Sequence, residues 1–216
     1  MKKKNYRELY ASVIMLLAFI LWTIAVKLVD VRAIGPEGSD VGFAAINAYV
    51  HNLTGVHMSL YHITDWLGLV PIFVAMGFAV LGLAQWIKRK KLSKVDYSIF
   101  ILGGFYATVM AVYVLFEAVT VNYRPVLING FLEKSYPSST TLLVMCVMPT
   151  AIMQLNQRIK NATVSKILSS LISAFIFFMV AGRLVSGVHW FTDIVGGALL
   201  SGGLVMMYVY LVNLKK

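Results

Sequence analysis

With 59% hydrophobic and only 13% charged residues in a chain of 216, and a mean hydropathy of +0.79, there is too little polar surface to cover a soluble core. The net charge of +10 does not mark a nucleic-acid partner, because the basic residues fall in clusters between apolar runs. The composition predicts an all-α polytopic membrane protein, a single domain over residues 1–216.

Six apolar runs are long enough to cross ~30 Å of hydrocarbon: residues 11–28, 59–87, 97–116, 140–156, 165–181 and 193–214. Met1 to Arg7 is basic, but the apolar run after it lacks a small-residue cleavage site before Lys27, so it is expected to stay as the first helix. Residues 30–40 read as a loop, and 41–53, with Asn47, His51 and Asn52 among apolar positions, as a short helix at the interface. His51, His57 and His62 lack a carboxylate or further histidine that would complete a ligand set, so no metal is expected. The second span carries Asp65 and Pro71. A carboxylate at that depth is costly unless it faces the bundle interior, and a hydrogen bond to another helix is predicted for it.

The third span delivers the chain to Glu117 and then to Asn122-Tyr123-Arg124-Pro125. Lys134-Ser135-Tyr136-Pro137-Ser138-Ser139-Thr140-Thr141 opens the fourth span. Proline followed by serine and threonine is a helix N-terminus signal, and such a terminus offers free backbone N–H groups to an anion. Cys146, the single cysteine, excludes an intramolecular disulfide and a cysteine-rich metal site. Between the fifth and sixth spans, Gly182 to Asp193 packs Arg183, Ser186, His189 and Asp193 into twelve residues. His189 and Asp193 are four apart, so a helix beginning at Val188 would put them on one face, where the carboxylate can orient the imidazole; a helix start at the membrane surface with a satisfied histidine and a capping aspartate is the equal alternative on this stretch alone. In the last span Gly197 with Ser201, and Ala198 with Gly202, are small pairs that allow a neighbouring backbone to approach.

Charge sets the topology. Lys2, Lys3, Lys4 and Arg7, then Lys88 to Lys94, then Arg158, Lys160 and Lys166, then Lys215 and Lys216 occupy alternate connections. The positive-inside rule makes that side cytoplasmic, with both termini inside, and places Arg124, Ser138 to Thr140 and the Arg183 to Asp193 stretch together outside. An integral protein of a bacterial plasma membrane is the expected setting; oligomeric state is not legible.

Arg124-Pro125, then Pro137-Ser138-Ser139, then Arg183, five residues, His189, three residues, Asp193 resembles, in order and spacing, the three motifs of the type 2 phosphatidic acid phosphatase and vanadium haloperoxidase superfamily. The resemblance covers roughly residues 60–214. It implies a six-helix lipid phosphatase without a cofactor, acting on a lipid phosphate or diphosphate at the extracytoplasmic face. It implies further that His189 attacks phosphorus to give a phosphohistidine, that Asp193 orients and charge-balances it, and that Arg124, Arg183, Ser138 and the amide of Ser139 hold the phosphoryl oxygens.

Three positions depart from the family pattern: Glu117 stands in place of lysine, Thr140 in place of histidine and Gly182 in place of serine. Thr140 cannot serve as the general acid that the family's histidine supplies, and loss of such a group costs ~10²- to 10⁴-fold with a poor leaving group. A diphosphate, whose leaving group is itself a phosphate, needs that proton least, which favours a polyprenyl diphosphate substrate. Glu117 is expected to pair with Arg124 or Arg183, since it otherwise sets a negative charge against the phosphate. A second class stays open, a catalytically impaired relative that binds lipid phosphates as a regulator, scaffold or transporter component.

Overall fold

The structure, a computed structural model, describes residues 6–215; Lys2, Lys3, Lys4 and Lys216 lie outside them. Eight α-helices carry the described chain: α1 (Arg7–Leu28), α2 (Ala44–Thr54), α3 (Met58–Leu67), α4 (Leu69–Arg89), α5 (Tyr97–Ala118), α6 (Ser139–Arg158), α7 (Ala162–Val185) and α8 (Phe191–Asn213). Six helical segments are long and apolar enough to cross a membrane, α3 and α4 together forming one of them, Met58–Arg89. The expected spans are present with ends shifted by a few residues, and the expected interfacial segment is α2.

The second span is divided at Gly68, whose N–H donates to the carbonyls of both Thr64 and Asp65 at 3.0 Å. Pro71 is the third residue of α4, where its missing N–H falls among the donors that a helix start leaves unpaired anyway. The proline therefore begins a helix here instead of breaking one.

α6 and α8 are the inner helices, about half buried where the other spans mostly face outward. α8 meets α1 closely: Ser12 Oγ donates to the Gly203 carbonyl at 2.8 Å, and a Cβ on Gly203 would lie 2.7 Å from Leu16 Cγ. The expected small-residue packing is real on a second face too, where a Cβ on Gly197 would lie 3.2 Å from the Ser138 carbonyl. In a bilayer, where burial of apolar surface gives no drive between helices, this proximity of backbones supplies the dispersion contact that holds them. Polar bonds tie α6 to both neighbours: Tyr106 of α5 and Thr150 share a hydrogen bond of 3.1 Å, while Gln154 donates to the Tyr208 hydroxyl of α8.

The start of α8 is fixed from two directions. Asn47, fully buried on α2, donates to Thr192 Oγ1 at 3.0 Å and accepts from the Thr192 N–H at 3.2 Å; Trp22 Nε1 of α1 donates to the Thr192 carbonyl at 3.1 Å. One end of the bundle thus gathers the α1 C-terminus, α2, the α5–α6 connection and the α7–α8 connection. The opposite end holds the α4–α5 and α6–α7 turns, where Asp96 joins Arg89 at 2.8 Å and Arg158 at 3.7 Å.

Candidate active site

Two short connections build the site. In the first, between α5 and α6, the chain doubles back so that Tyr123 and Lys134 form an antiparallel bridge. The Arg124 N–H donates to the Glu133 carbonyl at 2.9 Å and the Ser135 N–H to the Asn122 carbonyl at 3.0 Å. This register sets Arg124 beside Glu133, and its Nε donates to Glu133 Oε2 at 3.0 Å.

In the second connection, α7 ends at Val185 and α8 begins at Phe191, so His189 lies in the turn before α8 and not on a helix starting at Val188. The expected pair forms for a different reason. Asp193, in the first turn of α8, reaches back to accept the Trp190 N–H at 2.9 Å, and this cap carries Oδ2 to 3.5 Å from His189 Nδ1. The turn passes through Gly187 at φ 69°, where a Cβ would lie 2.0 Å from the Gly55 carbonyl oxygen. Only glycine fits that backbone and that approach.

The two connections meet at His189. Arg124 Nη1 lies 3.1 Å from His189 Nε2 and 3.4 Å from the Val188 carbonyl, and Trp190 Nε1 donates to the Tyr123 carbonyl at 2.8 Å. A guanidinium can only donate, so Nε2 is the acceptor and the ring proton sits on Nδ1, facing Asp193. The histidine is thereby held in the tautomer whose outward nitrogen carries the lone pair. Burial, then the positive charges of Arg124 and of Arg183, hold the His189 pKa well below its ordinary 6.5.

This depression has two measurable signs. Unfolded chains take a proton on the histidine near 6.5 while the folded site does not, so stability should fall as pH drops below that value. The catalytic rate constant kcat/KM, followed with a substrate whose own ionisation is titrated separately, should stay level through the same pH. An acid limb at the ordinary histidine value would contradict the buried neutral imidazole.

Arg183 comes from the last turn of α7 and is 1% exposed. Its Nη1 lies 3.5 Å from both Asp65 Oδ1 and Thr64 Oγ1. Asp65 thus finds the interhelical partner expected of it, and that partner is a site arginine. The Arg183 guanidinium stands 5.0 Å from the centre of the Tyr61 ring, and that of Arg124 stands 5.9 Å from the same ring. Tyr61 therefore gathers both cations against one aromatic ring, an arrangement that a bound anion stabilises. Gly182 explains its own departure: a Cβ there would lie 2.8 Å from Thr64 Cγ2, so the threonine of α3 fills the space that a serine side chain needs.

The remaining expected residues divide. Ser139 lines a small cavity together with Arg124, His189 and Glu117. As the first residue of α6 its N–H has no intrahelical partner. Ser138 is wholly buried, and its hydroxyl oxygen caps α6, accepting from the Thr141 N–H at 3.4 Å and from Thr141 Oγ1 at 3.1 Å. Its own N–H donates to the Asp193 carbonyl at 3.1 Å. Ser138 thus fixes α6 against α8, and of the two serines it is Ser139 that lines the cavity. Thr140 does not line that cavity, and its methyl lies 3.6 Å from where a Cβ on Gly68 would be.

The expected pairing of Glu117 with an arginine does not occur among the described residues. Arg124 is taken by Glu133 and Arg183 by Asp65, while Glu117, at the end of α5, interacts with Tyr113 one turn earlier. The two arginines are claimed by carboxylates that the fold brings closer. His51, His57 and His62 do not converge: His51 packs on the Trp190 ring at 5.4 Å, His57 Nε2 bonds the Thr54 carbonyl at 2.8 Å, and His62 lies beside Tyr61.

Sequence reasoning missed Tyr61, Thr64 and Glu133. Glu133 lies nine residues after Arg124, and only the backbone pairing of 122–124 with 133–135 makes them neighbours. Asn122 Nδ2, Ser135 Oγ, Arg183 Nε, His189 Nδ1 and Asp193 Oδ1 are buried without a hydrogen bond. Asn122, Ser135 and His189 all lie around the Asp193 carboxylate, so these polar atoms form one buried cluster.

Residues 118–216 match the family model of the PAP2 superfamily. No curated protein matches the chain. Among solved structures, the chain is similar to the crystal structure of the first transmembrane PAP2 type phosphatidylglycerolphosphate phosphatase from Bacillus subtilis, with a TM-score of 0.60 and 16% identity over 93% of this chain and 94% of the other. That likeness establishes the fold. The matched region, a little under half of the chain, contains the Arg124, Ser138-Ser139 and Arg183-His189-Asp193 clusters and is similar to the PAP2 superfamily.

Proposed function

We propose that the protein is a membrane lipid phosphatase that cleaves a phosphoryl group through His189. The observation that carries this reading is the set Asp193, His189, Arg124: a carboxylate behind Nδ1, an unprotonated Nε2 in front, and an arginine in contact with that nitrogen. A phosphoryl oxygen is a stronger acceptor for Arg124 than a neutral imidazole, so substrate binding draws the guanidinium onto the anion and releases the lone pair. Nε2 then attacks phosphorus and the bond from phosphorus to the leaving oxygen breaks, its electron pair departing with the lipid. Water cleaves the phosphorus–nitrogen bond, returning His189 and inorganic phosphate. Charge on the three equatorial oxygens is met by Arg124, Arg183 and the Ser139 N–H.

The substrate class follows from the surroundings. A site at one end of a membrane bundle takes an amphiphile whose phosphate lies at the interface. Thr140 in place of a histidine favours a leaving group that departs without a proton, and a polyprenyl diphosphate meets that condition where phosphatidic acid or phosphatidylglycerol phosphate does not. The basic connections at the opposite end support placing the site outside the cytoplasm of a bacterial plasma membrane, with both termini inside.

Phosphate release by the purified full-length protein from a panel of lipid mono- and diphosphates tests the reading. Diphosphates should be turned over with a kcat/KM at least tenfold above that for monoesters. A preference for monoesters would refute the leaving-group argument. No release from any lipid phosphate would favour the second reading, a binder of lipid phosphates, which the replacements at Glu117 and Thr140 motivate.

A further inference from the structure

The motif position that elsewhere holds a lysine holds Glu117 here, so the site lacks one cation and carries an added carboxylate. A phosphoryl group with two formal charges then faces Arg124 and Arg183, each already shared with a protein carboxylate. We propose that Lys134 supplies the missing cation, reaching the phosphoryl oxygens from the α5–α6 connection.

Lys134 Nζ sits at the C-terminal end of α5, 2.7 Å from the Glu117 carbonyl oxygen and 3.1 Å from that of Ala118. The ammonium therefore stands beside the backbone of the very residue that departs from the motif. Its side chain lines the same cavity as Glu117, Arg124, Ser139 and His189. Both neighbouring peptide groups are fixed by the pairing of Asn122 with Ser135 and of Arg124 with Glu133, so the root of the side chain is held while its end is half exposed. Two of the three ammonium N–H bonds are used on carbonyls, which leaves one to donate to an anion.

A lysine at a helix C-terminus is common, because it satisfies the last carbonyls and complements the dipole. Capping explains the two carbonyl contacts. It does not explain why the capping group shares a cavity wall with the nucleophilic histidine, or why it does so beside the position where the motif's own lysine is lost. The net effect is a cation moved from the helix to the loop that follows it, seventeen residues on.

The inference rests on the phosphatase reading, and the experiment separates the two. Lys134→Gln retains N–H donors for the carbonyls but loses the charge, and Lys134→Gln with Glu117→Lys returns a cation at the motif position. In full-length protein reconstituted in lipid, Lys134→Gln should lower kcat/KM by roughly 10²-fold, the scale for loss of one donor to a transition-state oxyanion. It should also weaken inhibition by orthovanadate at least tenfold, and the double variant should recover at least tenfold in both readouts. Lys134→Arg, tested alongside as a second charge-retaining variant, should keep vanadate inhibition within about fivefold. Unchanged vanadate inhibition in Lys134→Gln, or no recovery in the double variant, overturns the proposal even if activity falls. If the wild-type protein turns over no lipid phosphate, the phosphatase reading fails by itself. Vanadate-induced thermal stabilisation of wild type against Lys134→Gln then decides the role of Lys134, equal stabilisation refuting it.

Discussion

His189→Ala should lower hydrolysis by roughly 10⁴- to 10⁶-fold while lipid-phosphate affinity stays within about tenfold. The asymmetry comes from which groups meet the substrate before and during reaction. In the proposed ground state the anion would be held by Arg124, Arg183 and the start of α6, none of which depends on the imidazole for its position: Arg124 is fixed by Glu133 at 3.0 Å and Arg183 by Asp65 at 3.5 Å. Removing the ring also frees Arg124 from its 3.1 Å contact with Nε2, so ground-state binding has a reason to tighten slightly. The covalent bond from nitrogen to phosphorus, by contrast, has no substitute. Binding measured by competition and turnover measured by phosphate release would together read the split. Hydrolysis within tenfold of wild type would rule out the phosphohistidine route.

Asp193→Asn should lower kcat by about 10²- to 10⁴-fold with KM changed little. The asparagine oxygen can still accept the Trp190 N–H, now 2.9 Å from Oδ2, so the cap of α8 and the fold of the turn persist. What is lost is the negative charge 3.5 Å behind Nδ1, which holds the proton on that nitrogen and offsets the charge that develops as Nε2 bonds phosphorus. Asp193 is wholly buried, so its field acts on the ring with little screening by water. Orthovanadate, which gains from one fewer carboxylate nearby, should bind the variant at least as well as wild type. A fall in kcat below fivefold would show that the histidine is oriented by its contact with Arg124 alone.

The sequence by itself determined the class and the span count, and it named the residues of the proposed site. Apolar runs of sufficient length between basic clusters admit only membrane helices, because unpaired backbone polar groups have no partner in lipid. The spacing from Arg183 through His189 to Asp193 is short enough that any compact turn brings those groups together, which is why they were legible even though the helix begins at Phe191 and not at Val188. The tertiary structure decided how charge is paired. Arg124 meets Glu133 because of a backbone bridge at Tyr123 and Lys134, and Arg183 meets Asp65 because α3 lies against α7, so Glu117 is left without the arginine expected for it. It decided too that Ser138 is a cap, that Thr64 occupies the space beside Gly182, and that Lys134 returns to the end of α5. Local pattern predicts which residues lie within one or two turns of each other. Ion pairs depend on distances of 3 to 4 Å between residues far apart in sequence, and those distances are fixed only when the helices have packed.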